Sequence, residues 1–437
     1  VLIPTVVVIA IVAILWIGIL GLTVRVWWFL RRARRQPPGD ASYTPPAALI
    51  VPCCGVEQGF ADNMRAMLGQ DYPDYRVIFV TADAADPAYP VLQRLIAGPG
   101  PGRAVLVTAG HARTRGQKVH NLLRGVAEAG DRPILAFADS DGRPHSRWLR
   151  DLVAPLADPG VGGTTGYPRY QPARGGLWSW TRAYAVNLSA LQVSQGGDWG
   201  LWGGGMAVRR ETFDRAGVAA AWETAIADDI AIVQQIRRLG LRLVFVPACL
   251  TTSVEGCTLA GLFEYLFRHL VIARVHNRPY WRLLGAALGA LILLYVGGGT
   301  LGLLASLRPE LWPAAGLLLL HIPLQVVAGA LIPLLVFRDT ETARWAPTLF
   351  LLEAVTLAAF VASALTRRVS WRGVHYELVA PDRTVVVASD QVRQGGAELA
   401  GRGVVGRPAP HVAGAQQQPG ARLRPDARQG AVRLRGH

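Results

Sequence analysis

Two carboxylates one residue apart, Asp139 and Asp141, follow the apolar run Pro133-Ile-Leu-Ala-Phe-Ala138 and precede Gly142. A buried strand ending in Asp-x-Asp and a turn sets two hard oxygen ligands at one edge of a sheet, where an open parallel sheet presents its ligands. Such a pair suits Mg²⁺ or Mn²⁺, and the ion in turn suits a diphosphate whose charge it neutralises on departure. A second acid pair, Asp228-Asp229, opens a predicted helix, where the partial positive charge of the N-terminus favours carboxylates. Capping accounts for one of these acids and leaves the other unexplained. Lys118, the chain's single lysine among 45 basic residues, lies in Gly116-Gln-Lys-Val-His-Asn-Leu122 before another helix. Asp83 follows a predicted strand, and Trp199-Gly-Leu-Trp-Gly-Gly-Gly-Met-Ala-Val208 is a glycine-rich loop entering one.

The elements that must position these residues alternate. Ala47–Pro52, Tyr75–Thr81, Arg103–Thr108 and Pro133–Ala138 read as strands. Helices are expected over Gln58–Gln70, Tyr89–Ala97, Val119–Ala129 and Ser146–Ala157. This β/α order predicts an α/β domain with a mainly parallel sheet covered by helices. In the second half, Val161–Tyr167 and Leu243–Val246 read as strands, and Trp178–Val193 and Asp228–Leu239 as helices.

Long apolar runs flank this region. The chain is 51% hydrophobic and its mean hydropathy is +0.27, high for a water-soluble protein. Val1–Leu22 is long enough to span a bilayer, and Arg25, Arg31, Arg32, Arg34 and Arg35 follow it. The positive-inside rule puts that arginine flank, and the domain after it, in the cytoplasm. Leu283–Leu307, Leu311–Phe337 and about Trp345–Leu365 are three further runs, the last carrying Glu353. Three crossings would leave Arg367, Arg368 and Arg372 on the wrong side, so one segment is expected to lie in the interface or to re-enter. The expected organisation is an anchor with its basic flank at 1–35, a linker at 36–46, a catalytic domain at 47–257 and an interfacial helix region at 258–282. Membrane segments at 283–366 and a basic tail at 367–437, disordered from about 380, complete it.

The net charge of +15 comes without any basic patch interleaved with aromatics, so lipid headgroups and anionic substrates fit it better than nucleic acid. Four cysteines without Cys-x-x-Cys spacing fit a reducing compartment. Nothing in the chain fixes an oligomeric state.

Taken in order, several stretches resemble the membrane-bound family 2/21 glycosyltransferases, above all the ceramide glucosyltransferase-like, hopanoid-associated branch. They are Val51-Pro-Cys-Cys-Gly-Val-Glu57, Gln70-Asp-Tyr-Pro-Asp-Tyr-Arg76 leading to Asp83, Lys118-Val-His-Asn-Leu122, Ala138-Asp-Ser-Asp141, Trp202-Gly-Gly-Gly-Met-Ala-Val-Arg-Arg210 and Ala227-Asp-Asp-Ile230. Val369-Ser-Trp-Arg-Gly-Val-His-Tyr376 resembles that branch's C-terminal ending. The resemblance covers roughly Ala47–Trp281 and implies a GT-A-type sheet, an N-terminal transmembrane anchor and two to three C-terminal transmembrane or interfacial helices. It implies donor contacts for Asp83 (nucleotide), Lys118, Asp139, Gly204 and Gly205, and metal binding at Asp139 and Asp141. Asp229 takes the place of the catalytic base, with Asp228 beside it. Where the family carries Gln or Arg, two variable residues and Arg-Trp, this chain has Arg268-His-Leu-Val-Ile272. Arg268 fits, and His269 or Arg274 stands open as the second cation. A helix face turned to lipid phosphates is the competing reading of these three.

The function implied is inverting transfer of one sugar from a nucleotide-diphosphate sugar, UDP-glucose or UDP-N-acetylglucosamine, to a membrane-lipid hydroxyl. It would occur at the cytoplasmic face of the inner (plasma) membrane. A processive polysaccharide synthase and a catalytically degenerate scaffold are the rivals.

Overall fold

Ala47-Ala-Leu-Ile-Val-Pro52 lacks the apolar/polar alternation of a half-exposed strand, as a strand covered on both faces must. In the computed structural model it is β1 (Ala47–Pro52), buried from Ala47 to Val51. The structure describes residues 40–97, 103–172, 175–194, 200–334 and 340–389, with scattered helical positions between 14 and 31. The expected anchor at 1–35 and the tail beyond 389 therefore lie outside the described residues. The chain divides into two units, 1–391 and 392–437, and everything below belongs to the first.

The elements follow in chain order: α1 (Phe60–Leu68), β2 (Tyr75–Thr81), α2 (Ala88–Ile96), β3 (Ala104–Thr108), α3 (Gln117–Glu128), β4 (Ile134–Ala138), β5 (Gly142–Arg143) and α4 (Trp148–Val153). Next come β6 (Val161–Tyr170), α5 (Leu177–Ser194), β7 (Gly205–Arg209), α6 (Arg210–Arg215), α7 (Val218–Trp222), α8 (Asp228–Arg238) and β8 (Arg242–Ser253). The sheet order is β3-β2-β1-β4-β7-β6-β8-β5. The strands from β3 to β4 pair in parallel, as does β6 with β8; β7 runs antiparallel to β4 and β6, and β5 to β8. The sheet is mainly parallel, with β7 as the reversal that the sequence did not announce.

Because side chains alternate across a strand, each strand feeds two cores. Leu49, Val51, Val77, Phe79 and Ala136 pack with Trp148 on one face. Ile50, Ile78, Val80, Leu135 and Phe137 pack with Trp222 on the other. β1, β2 and β4 pair in parallel register and end at one edge, where Asp83 and Asp139 emerge.

After the sheet come α9 (Leu259–His276), α10 (Arg278–Ala305), α11 (Trp312–Leu319), α12 (His321–Ile332), α13 (Thr340–Arg344) and α14 (Leu349–Leu365). Three stretches are long and apolar enough to cross a membrane: Arg278–Ala305, Pro309–Leu331 and Ala346–Leu365. Asn277 separates α9 from α10 and caps the latter, its side chain accepting from Tyr280 N. Glu353, the polar interruption of the third run, faces the bundle. Tyr295 Oη donates to it at 2.7 Å and Gln325 also hydrogen-bonds it.

The third apolar helix is tied to the rest at both ends. Ala346 and Leu352 pack on Tyr184 and Ala185 of α5. At the other end Arg274 donates to Ser363 O (2.7 Å) and Thr366 O (3.2 Å), and Trp281 Nε1 to Ser363 Oγ (3.0 Å). The chain then forms a small antiparallel sheet, β9 (Arg368–Trp371), β10 (Val374–Ala380) and β11 (Arg383–Ser389), which returns to the large domain. The expectation of disorder from about 380 is corrected by β11: its pairing with β10 and the docking of that sheet hold a segment that lacks apolar periodicity of its own.

Candidate functional site

Lys118 is placed by the turn before α3. Gln117 orders that turn: its Oε1 accepts from Ala112 N (2.9 Å), and its Nε2 donates to Gly110 O (2.9 Å) and Asn121 Oδ1 (2.8 Å). Lys118 Nζ thereby lies 2.8 Å from Asp139 Oδ1 at the end of β4 and 3.2 Å from Asp228 Oδ1 at the start of α8. Trp222 Nε1, donating to Asp228 O at 3.0 Å, steadies that helix start. Burial opposes the lysine's charge, but the two carboxylates outweigh it and hold its pKa above the ordinary range.

The glycines of the loop are a steric requirement. A Cβ on Gly203 would stand 2.1 Å from Asp228 Oδ2, and one on Gly204 would stand 2.6 Å from Asp139 Oδ2 and 2.2 Å from the Trp202 ring. Any side chain there would expel the carboxylates from their places beside Lys118.

The second acid of the helix pair has a different environment. Asp229 Oδ1 accepts from Ile230 N at 2.8 Å. Burial, then the neighbouring Asp228, pushes its pKa up to about 7, with Lys118 pulling the other way. Asp228 is raised as well, chiefly by burial against the opposing pull of Lys118, and its Oδ2 has no hydrogen-bond partner. A carboxylate poised near neutrality, beside a lysine that stays charged, is suited to accept a proton from a hydroxyl.

Asp141 points elsewhere. Its carboxylate joins Glu57 and Glu255, with one oxygen of each within 4.8 Å of the others. Burial, followed by Asp139, Glu255 and Glu57, pushes Asp141 up to about 8. Three carboxylates crowded together fit a hard divalent cation, whose charge would reverse that shift. The expected metal pair is thus divided: Asp141 belongs to the crowded group, while Asp139 is engaged by Lys118. Glu255 is also held by Arg182 Nη1 (3.1 Å) and Tyr170 Oη (3.2 Å). Arg182 lies over the Tyr170 ring at 4.5 Å.

Arg268 and His269, on α9, line the same cavity. Arg268 lies 4.9 Å over the Trp371 ring. Protein atoms around His269, then Arg268, push its pKa down to about 4, and its Nδ1 is 2.6 Å from Tyr265 O. That shift favours the neutral imidazole over a cation. Arg274 caps the end of α14, away from the residues that line the cavity. Val271 and Ile272 are buried against Ile226, Ile230, Val369, Val374 and Tyr376, so an apolar contact occupies the Arg-Trp place. Asp83 lies apart, at the end of β2, 2.9 Å from His111 Nε2.

The cavity joining these groups has a volume of about 930 Å³. Lys118, Asp139, Asp141, Asp228 and Asp229 stand at one part of it, and Tyr280, Leu284, Leu352 and Thr356 of the apolar helices at another. Glu57, Glu255, Arg182 and Arg372 are among the lining residues that the sequence did not mark. Two of them, Glu57 and Arg372, lay inside stretches quoted for the family resemblance; Arg182 and Glu255 carried no signal.

Residues 6–384 match the model of the family described as glycosyl transferase family 21. Among solved structures, a mannosyltransferase from Pyrobaculum calidifontis in complex with GDP-Man and Mn²⁺ is similar at 20% identity and a TM-score of 0.48, over 82% of this chain and 98% of that one. Glucosyl-3-phosphoglycerate synthase from Mycobacterium tuberculosis, in complex with Mn²⁺, UDP and glucosyl-3-phosphoglycerate, is similar at 18% identity and a TM-score of 0.35, over 51% and 77%.

Proposed function

This chain belongs to glycosyl transferase family 21, and on that premise we propose that it moves one sugar, with inversion, from a nucleotide-diphosphate sugar to the hydroxyl of a membrane lipid. On the family resemblance the donor is UDP-glucose or UDP-N-acetylglucosamine, and the acceptor is a membrane lipid of the ceramide, hopanoid, carotenoid or diacylglycerol class. The observation that carries this reading is the single cavity that joins the carboxylates around Lys118 to Leu284, Leu352 and Thr356 of the apolar helices. A polar donor and an apolar acceptor need that combination.

In this reading Asp229 takes the acceptor's proton as its oxygen attacks the anomeric carbon from the face opposite the diphosphate. A pKa near 7 leaves much of it ionised at neutral pH and able to accept that proton. Asp139 and Asp228 hold Lys118, a fixed positive charge at the donor end. Asp141, with Glu57 and Glu255, would hold Mg²⁺ or Mn²⁺, which supplies charge neutralisation for a departing diphosphate. Asp83 extends the donor site toward the nucleotide.

The ties of the third apolar helix support one membrane arrangement. Arg278–Ala305 and Pro309–Leu331 cross and return, and Ala346–Leu365 lies along the interface with both ends on the catalytic side. On the positive-inside rule Arg367 and Arg368, at the end of that helix, favour a cytoplasmic catalytic face and the inner membrane. The test is lipid mass spectrometry of a deletion strain beside its complemented parent. A lipid heavier by one hexose or N-acetylhexosamine is expected only in the parent, and identical lipid profiles would refute the proposal.

A further inference from the structure

The hairpin after the last apolar helix carries a strained residue aimed at the site. β9 and β10 pair Trp371 with Val374 across the two-residue loop Arg372-Gly373. Both loop residues have positive φ, 54° and 73°, as a type I′ turn requires. Among the described residues Arg372 is the one non-glycine with positive φ. Asn, Asp or Gly would occupy that place without strain, whereas arginine loses on the order of 1 kcal/mol there.

The hairpin is firmly seated. Tyr376 is buried, and its hydroxyl accepts from Gln117 N (3.0 Å), the residue before Lys118. Val369, Val374 and Leu378 pack with Ile226 and Ile230, which flank Asp228-Asp229, and with Val271-Ile272. So seated, the turn carries two side chains into the cavity: Trp371 beneath Arg268, and Arg372 in an ion pair with Glu57. An aromatic and a cation thus reach the cavity from β9–β10, while Val271 and Ile272 hold the Arg-Trp place on α9.

Of the cavity's other cations, Lys118 is clamped between Asp139 and Asp228, Arg182 is committed to Glu255 and the Tyr170 ring, and Arg268 lies on Trp371. Arg372 differs, because Glu57 belongs to the three-carboxylate group suited to a cation. A divalent ion on that group would satisfy Glu57, and the planar fork of the guanidinium matches phosphate oxygens.

Resting on the nucleotide-sugar reading above, we propose that Arg372 binds the diphosphate of the donor, and that the Trp371–Val374 turn is the wall of the donor site that delivers it. The test compares purified full-length wild type with Arg372→Asn, which suits the left-handed turn, and with Arg368→Ala. The latter removes a surface pair with Glu377 (3.2 Å). Titration calorimetry with UDP, GDP and their monophosphates, with Mn²⁺ present, is run beside thermal unfolding. In Arg372→Asn the diphosphate affinity is expected to fall about tenfold to a hundredfold. Monophosphate affinity stays within threefold, and the melting temperature does not fall. Arg368→Ala matches wild type throughout. Wild-type diphosphate binding in Arg372→Asn would overturn the assignment, as would equal losses for mono- and diphosphates together with a lower melting temperature. A wild type that binds neither UDP nor GDP would instead bring down the nucleotide-sugar reading, and this inference with it.

Discussion

Replacing Lys118 by methionine probes the electrostatic centre of the site. The lysine side chain is 16% exposed and Asp228's is 3%, so the ammonium is what allows two carboxylates to approach each other there. Removing one partner of a buried charge pair costs about 3–5 kcal/mol when the other charge is left behind. Protonation of the raised Asp228 offers a partial escape, so the lower figure applies, about 3 kcal/mol or a melting temperature lower by roughly 6–12 °C. Adding Asp228→Asn to Lys118→Met removes the stranded charge and should restore at least half of the loss, a coupling that a double-mutant cycle measures. Lys118 also lowers the pKa of Asp229. In Lys118→Met the acid limb of the pH–rate profile should therefore move upward by about a unit or more. The assay is thermal unfolding of the four cycle members at pH 7.5, with transfer rates from pH 5.5 to 9.5. Wild-type stability in Lys118→Met, or a double variant no more stable than the single, would refute the reasoning.

Three further outcomes follow. Gly204→Ala forces a Cβ within 2.6 Å of Asp139 Oδ2 and 2.2 Å of the Trp202 ring; it should lower stability by about 1–3 kcal/mol and weaken donor binding, and unchanged values of both would contradict the close approach. Chelation should abolish transfer, with Mn²⁺ or Mg²⁺ restoring it; Glu57→Gln and Glu255→Gln should each raise the metal concentration for half-maximal activity about tenfold, and unshifted titrations would remove those residues from the cation site. Asp229 is raised from 3.8 to about 7, so its contribution to stability is complete below pH 4 and is lost as pH rises through 7. Its full size is roughly 4 kcal/mol. Denaturant midpoints of Asp229→Asn should therefore vary less between pH 4.5 and 8 than those of wild type, and parallel curves would be inconsistent with the shift.

Legibility in the sequence tracks how local each determinant is. β1 and β2 fall at the expected residues because a strand buried on both faces writes an unbroken apolar run. The reversal at β7 is written in no local pattern, since pairing with β4 depends on how the chain returns over the sheet. β8 runs on to Ser253 rather than ending at Val246, because β6 offers a pairing edge past a register shift. Lys118, Asp139, Asp228 and Asp229 were legible because each sits at the end of an element at one sheet edge. Glu57, Arg182, Glu255 and Arg372 come from a turn, a helix, a strand end and a hairpin far apart in the chain. Only folding, with the segment after Leu365 returning from the apolar helices, brings them together. The surroundings of His269 and Arg274 were not written locally either: desolvation, then Arg268, disfavours charge on the first, and the second is turned to the carbonyls of Ser363 and Thr366.

The central claim is that Asp229 takes the acceptor's proton in a one-sugar transfer to lipid. Its most direct measurement is the transfer rate of purified Asp229→Asn beside wild type, with donor affinity determined on the same samples. The expected result is a rate at least about a hundredfold lower, with donor affinity within threefold of wild type. Transfer within threefold of wild type on every acceptor that wild type glycosylates would contradict it.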